Sequence, residues 1–425
     1  MLSCSQLQDD RTQRQRRKRR NHRYIMLSLL KRRILEGKLP RCSAVNCAQH
    51  AIPATRQRRD GTTYATGSSG EILIKHISDN DHGRHGYSNV HYCASGHICP
   101  VCAEIIRYNR LNEIRQAVSY MYSHGYTLAH IIYTARHNKR TKLKDFINRF
   151  REARQDFKNS RTYRKYKKLM CREYGITAVE VTDDHPDADK KTGWHYHEHQ
   201  IDFVLAGGTD TAAQIAELEA RLREQWRVSL RRFGLDADLE HGLRIQYVAV
   251  DDADDAQAVR ALGDYVAKAM SWELSGQPIK QGRGDYNRRI TSWQLQRIVL
   301  ERDDKRLYKR YAEYIEGMKG VNWIRFSPGL REFCGISNKS DREIVEQHNA
   351  TGEEVYSIGE RFPGYIYKNG HQGCLLDVAD VARYNQGGEY VPDAIRRYLQ
   401  MVKDDAILLT DEYDIINRST GELIA

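Results

Sequence analysis

The sequence predicts an α+β fold: an antiparallel-rich sheet of the split βαβ type with flanking helices, an N-terminal zinc-binding segment before it and a mixed C-terminal region after it. Three observations carry this. From residue 127 the hydrophobic period switches in the order strand, helix, strand, strand, helix, strand, helix. The stretch GWHYHEHQIDFVL, residues 193–205, sets His195, His197 and His199 at every second position and then runs apolar. Cysteines crowd into the segment before the first of these strands. At about 150 residues per domain, 425 residues predict two or three domains.

Residues 1–40 read as a basic arm, helical from Tyr24. The run RTQRQRRKRRNHRYIMLSLLKRR has no acidic residue, and the whole chain carries a formal charge of +12. Such a run points to a polyanion, so Arg16, Arg17, Lys18, Arg19 and Arg20 are candidates for holding nucleic-acid phosphates. The bland alternative is a solvated tail. No apolar stretch follows the charges as in a secretory leader. No apolar run approaches the ~18 residues of a membrane span. A cytoplasmic protein with no membrane partner is therefore expected.

Residues 41–125 read as a zinc-binding segment and a helix. The part up to about 105 is rich in Cys, His, Gly and Ser and poor in periodic apolar residues, so it is expected to need a metal staple. HYCASGHICPVC supplies Cys93, His97, Cys99 and Cys102, and RCSAVNC supplies Cys42 and Cys47. Two thiolates two residues apart suit one tetrahedral ion. A structural Zn²⁺ is expected on Cys99 and Cys102 with two of Cys42, Cys47, Cys93 and His97. The helix RYNRLNEIRQAVSYMYSHG stops at Gly125.

Residues 126–290 read as the core. TLAHIIYTARH is a strand, a long basic helical region runs from about Lys142 to Tyr174, and GITAVEVTDD and HYHEHQIDFVLAG are strands. The helix TAAQIAELEARLREQWRVSLRRFG, the strand RIQYVAV and the helix AVRALGDYVAKAMSWELSG follow. Residues 291–425 are helical to about 318 and mixed beyond.

Alternate residues of a strand share a face, so the three histidines point one way, with Ile201, Phe203 and Leu205 continuing that face inward. Imidazole is the commonest protein ligand for divalent transition metals, and two histidines two apart converge on one ion. Glu180, in TAVEVT on a neighbouring strand, is the best further ligand, because a carboxylate there needs a partner. Three idle histidines at a sheet edge are the alternative. In GDYVAKAM, Tyr265 and Lys268 share a helix face. A nearby ammonium favours phenolate, or it can hold a phosphate as a point charge. Most tyrosines simply pack, so Tyr265 gains weight only from its company.

In combination these motifs resemble plasmid rolling-circle replication initiators, the Rep proteins of the HUH endonuclease superfamily, over roughly residues 93–335. CASGHICPVCAEIIRYNRLNEI resembles their zinc segment. LAHIIYTARH is similar to their first motif, with Thr134, Arg136 and His137. VEVTDD and GWHYHEH resemble the second, and YVAK the third, in its one-tyrosine form because residue 269 is Ala. The family's histidine pair encloses a bulky apolar residue, whereas the pairs here enclose Tyr196 or Glu198. The pattern favours His197 and His199.

The resemblance implies an HUH nuclease core in residues 126–290. It also implies a catalytic Mn²⁺ or Mg²⁺ and a metal-dependent, sequence-specific nick in single-stranded or hairpin origin DNA. Tyr265 is the implied nucleophile forming a 5′-phosphotyrosine, Lys268 steadies the phosphoryl charge, and Arg136 and His137 lie against DNA. Host helicase and polymerase are the implied partners. Release of the intermediate falls to a homodimer's second Tyr265 or to a carboxylate, of which Asp264 is nearest. A transposase or relaxase, or a non-catalytic zinc-stapled DNA-binding regulator, are the competing readings.

Overall fold

The structure is a computed structural model that describes residues 4–57, 63–68, 70–77, 84–188, 192–205, 211–248, 289–349, 352–384, 390–410 and 414–424. The chain divides into two compact units, one of residues 1–106 with 340–425 and one of residues 107–339. This grouping differs from four consecutive segments, because the first helix packs on C-terminal elements that composition could not link to it.

That helix, α1 (Cys4–Leu35), begins well before Tyr24. Tyr24, Leu27, Leu30 and Ile34 are buried along one face. Its cations are not all turned outward. Arg14 donates to Asp414 at 2.9 Å, and Lys18 lies 3.1 Å from the same carboxylate. Arg20 pairs with Asp377 and, at 2.7 Å, with Asp380, while Asn21 donates to Asp377 at 2.6 Å. Lys18 and Arg20, expected on phosphate, are thus held in internal ion pairs, whereas Arg16 and Arg19 are exposed and Arg17 is half-exposed.

The segment expected to need a metal staple also contains strands. After a 3₁₀ turn (Ser43–Asn46), β1 (Pro53–Gln57) pairs antiparallel with β2 (Thr63–Ser68). Next, β3 (Ile72–Ile77) pairs with β4 (Arg84–Ser88), burying Ile72 and Ile74. From the first unit α2 (Pro100–Ser123) carries the chain into the second.

The second unit is a β-α-β-β-α-β arrangement with additions. It runs β5 (Thr127–Thr134), α3 (Leu143–Asn159), α4 (Arg161–Leu169), β6 (Tyr174–Asp184), β7 (His195–Val204), α5 (Thr211–Arg232) and β8 (Leu243–Val248). The strand order is β6-β7-β5-β8, every pair antiparallel, so each helical crossover skips one strand as the split βαβ pattern requires. The expected single basic helix breaks at Ser160, whose hydroxyl accepts from Tyr163 N and caps α4. Downstream, β9 (Arg289–Thr291) extends the sheet on β6. Helix α6 (Ser292–Glu301) opens on a Thr291–Gln294 capping box and leads to α7 (Lys305–Gly317). Then β10 (Ile324–Phe326) pairs with β6, and α8 (Leu330–Phe333) follows.

The two sheet faces differ. Helices α3 and α5 cover one, where Phe150 lies 5.0 Å from the Tyr196 ring and Trp226 lies 5.4 Å from Tyr133. Helix α2 covers the far half of the other, packing Ile114, Val118 and Met121 on Ile201, Phe203, Ile176 and Leu128.

The chain then returns to the first unit with α9 (Asp341–Gln347), β11 (Glu353–Gly359), α10 (Gly364–Tyr367), α11 (Gln372–Tyr384) and α12 (Val391–Lys403). Strand β11 completes the sheet β11-β3-β4. Last, β12 (Ile407–Leu409) pairs with β13 (Ile415–Asn417). No helix among the described residues is long and apolar enough to cross a membrane.

Candidate functional site

The register of three strands assembles the histidine face. Opposite His197 on β7 stand Glu180 of β6 and Thr134 of β5; opposite His199 stand Ala178 and Ile132. His195, His197, His199, Glu180 and Thr134 therefore share one side, which continues into buried Ile201 and Phe203. Leu205, expected to extend that buried line, is 41% exposed. It lies one residue beyond the end of β7, where the pairing that would hold it inward has stopped.

The ring nitrogens fall into an order. His197 Nδ1 is hydrogen-bonded to Thr134 Oγ1 at 2.8 Å, and His199 Nδ1 to His130 Nε2 at 3.2 Å. Strand β5 thus occupies both Nδ1 atoms and turns both Nε2 atoms outward. His199 Nε2 meets Glu180 Oε2 at 2.7 Å, and His197 Nε2 meets His195 Nδ1. Burial pushes the pKa of His197 down and that of His130 to about 4. These rings are neutral at pH 7, the form that binds metals. Burial opposes the charge of Glu180, but His199, His197 and Arg289 hold its carboxyl below the ordinary value.

The entrance to β7 is fixed by Asp184, which accepts from Gly193 N at 2.8 Å and from Thr192 Oγ1 at 3.0 Å. Gly193 has φ +96°, and a Cβ there would lie 2.8 Å from the Asn138 carbonyl oxygen. Arg289 donates to Thr192 Oγ1 at 3.1 Å and to His137 Nε2 at 3.2 Å, and the His137 ring sits 4.4 Å from His195. His137 is thus at the histidine face. Arg136 is 65% exposed and faces Asp238 at 3.5 Å.

The opposite face explains the unusual residues between the histidines. Tyr196 and Glu198 point there, and both are buried. Glu198 accepts from Tyr196 Oη at 2.8 Å and from Arg325 at 2.7 Å, and it is paired with Arg154. A carboxylate is accommodated in this buried place because two guanidiniums face it. Nothing in the local sequence links Arg154 or Arg325 to position 198.

The first unit holds a cysteine quartet. Cys47, Cys93, Cys99 and Cys102 are buried, with sulfurs within 4.8 Å of one another. Cys47 Sγ lies 3.5 Å from Cys102 Sγ and from Cys99 Sγ, and Cys93 Sγ lies 3.7 Å from Cys102 Sγ. A tetrahedral ion with Zn–S bonds near 2.3 Å requires S···S edges of about 3.8 Å, so the four thiols could hold a metal such as zinc. The open choice of partners for Cys99 and Cys102 falls to Cys47 and Cys93; Cys42 and His97 lie outside the group. Lys31 of α1 is buried and donates to the Cys47 carbonyl oxygen, placing an ammonium beside sulfurs whose anionic form it would stabilise. Its contribution was not legible, because it sits in a run of cations that reads as surface. Among the described residues, this is the group of Cys, His, Asp or Glu in which three or more donor atoms come so close. On the histidine face the donors are paired instead. Tyr265, Lys268 and Asp264 lie outside the described residues.

The described molecule is thus of one class: a split βαβ sheet with an imidazole-rich face, in one chain with a four-thiol cluster. The chain is similar to a protein named Protein rep from Streptomyces lividans, at 24% identity over 327 residues that cover 62% of this chain and 69% of that protein. No family model matches the chain, and no solved structure matches it significantly.

Proposed function

We propose that this chain is a Rep-type replication protein that nicks one DNA strand at a plasmid origin, with a divalent metal, and later rejoins it. The observation that carries the reading is the Nδ1 pairing of His197 with Thr134 and of His199 with His130, which leaves both Nε2 atoms on the shared face, that of His199 against Glu180 and that of His197 against His195. Fixing one ring nitrogen so that the other can ligate is how metal-binding histidines are usually oriented. Imidazoles with a carboxylate offer donors to a divalent ion such as Mn²⁺ or Mg²⁺, which would replace the present hydrogen bonds among them. The likeness to Protein rep supports the replication role.

In this reading His197, His199 and Glu180 hold the metal, with His195 as a further candidate. When bound, the ion supplies Lewis-acid polarisation of the scissile phosphate. Tyr265 attacks phosphorus in line: its Oη–P bond forms, the bond to the 3′ oxygen breaks, and that oxygen takes a proton to become the priming 3′-hydroxyl. Lys268 steadies the charge on the phosphoryl oxygens. His137 and exposed Arg136 lie against the incoming strand, and Arg16, Arg17 and Arg19 hold phosphates without reading bases. Helicase and polymerase of the host act on the product. The deciding experiment is a nicking assay on single-stranded origin oligonucleotides with Mn²⁺ or Mg²⁺, followed by peptide mapping of the trapped adduct. A phosphotyrosine at Tyr265 supports the reading, and metal-independent cleavage or an adduct elsewhere overturns it.

A further inference from the structure

On the sheet face opposite the histidines lies a cavity of about 600 Å³. Arg151, Arg154 and Lys158 of α3 line it together with Arg172, Gly175 and Arg325. Its size is in the range of small-molecule sites. These five cations face two carboxylates. Glu198 is taken up by Arg154, Arg325 and Tyr196. Asp202, fully buried, accepts from Arg172 at 2.7 Å, Gln200 at 2.7 Å and Tyr166 at 3.1 Å. Lys158 has no hydrogen-bond or ion-pair partner among the described residues. Burial, with Arg154, Arg172 and Arg325 around it, pushes its ammonium down to about 7. Gly175 lets this pair approach the strand closely: a Cβ there would lie 2.6 Å from Arg172 Nη2 and 2.7 Å from Asp202 Oδ1.

Crowded, partly desolvated like charges are costly unless an anion joins them. Guanidinium forks match phosphate oxygens bidentately, and an ammonium adds a point charge. We propose that this cavity is a phosphate-binding site, distinct from the histidine face, taking a phosphoryl group of a nucleic-acid backbone or of a free phosphate compound. Arg151 and Lys158 supply the charge that no internal carboxylate balances. Arg325, a third exposed, stands at the rim.

The full chain is tested with two probes, inorganic pyrophosphate by calorimetry and a labelled oligo(dT) by anisotropy across a salt series. Lys158→Ala and Arg151→Ala are each expected to weaken pyrophosphate binding at least about tenfold, with Lys158→Arg retaining it. If DNA is the source, each alanine variant also lowers the slope of log K against log salt by about 0.7. An unchanged slope with lost pyrophosphate binding assigns the site to a free phosphate compound. Equal binding of both probes by wild type and variants of unchanged melting temperature overturns the site, as does no binding of either. Adduct formation at Tyr265 is read in parallel, so failure of the nuclease reading leaves this result interpretable.

Discussion

Thr134 and His130 act at one remove from the histidine pair. Each holds an Nδ1, so their loss should loosen a metal without removing a ligand. Thr134→Val is expected to lower metal affinity about 10- to 100-fold while activity recovers at saturating Mn²⁺. His197→Ala and His199→Ala should not recover. Nicking rates titrated against Mn²⁺ separate the two cases, and an unchanged midpoint in Thr134→Val would sink the positioning role. Glu198 poses a different problem. Removing its carboxylate leaves buried Arg154 without its anion, beside the half-exposed Arg325. Glu198→Ala should cost about 3–5 kcal/mol of stability, measured by urea unfolding. A loss below about 1 kcal/mol would mean that water already shields the pair.

At the scale of elements, the cysteine quartet makes a sharp distinction among the cysteines. Cys47→Ser and Cys93→Ser should release zinc and unfold the first unit, whereas Cys42→Ser should do neither. Elemental analysis with circular dichroism checks this, and zinc retained in Cys47→Ser would exclude that ligand. Strands β5 to β8, α5 and the side chosen by the histidines were legible, because their apolar residues recur at period two or 3.6. The choice of Cys47 and Cys93 was not: Cys47 lies more than fifty residues from Cys99 and Cys102, and local spacing cannot rank Cys93 against the nearby His97. Strands β3 and β4 were hidden for another reason. ILIKHI alternates cleanly, but its sheet is completed by β11, from residues 353–359. The break at Ser160 was there to be read as a cap, yet the helical patterns on both sides masked it.

For the whole molecule, two bulk measurements follow. DNA affinity should fall steeply with salt, and replacing Arg16, Arg17 and Arg19 together by alanine should lower the slope by about 2 to 3. Arg20→Ala should instead lower the melting temperature, because Asp377 and Asp380 lose their cation. An unchanged slope in the triple variant would remove the arm from the DNA contact. Acid sensitivity is the second. His371, bonded to Tyr398 Oη at 2.6 Å, has its pKa lowered by burial to about 4. The unfolded chain takes up that proton near pH 6.5, so stability is full above that value and falls from about 6.5 to 4. His371→Gln should flatten this fall, by on the order of 3 kcal/mol across the window, as read from urea midpoints at each pH.

The first unit is assembled from the two ends of the chain, and this sets a timetable for its synthesis. Arg20 leaves the ribosome 357 residues ahead of Asp377. At roughly 5–20 residues per second, that is a wait of about 20–70 s. Through that interval α1 exposes its apolar face and its cations to whatever is nearby, and residues 107–339 are completed before it ends. A chain cut short between residues 340 and 371 would carry a finished sheet unit and an orphaned first helix, a natural target for chaperones and proteases.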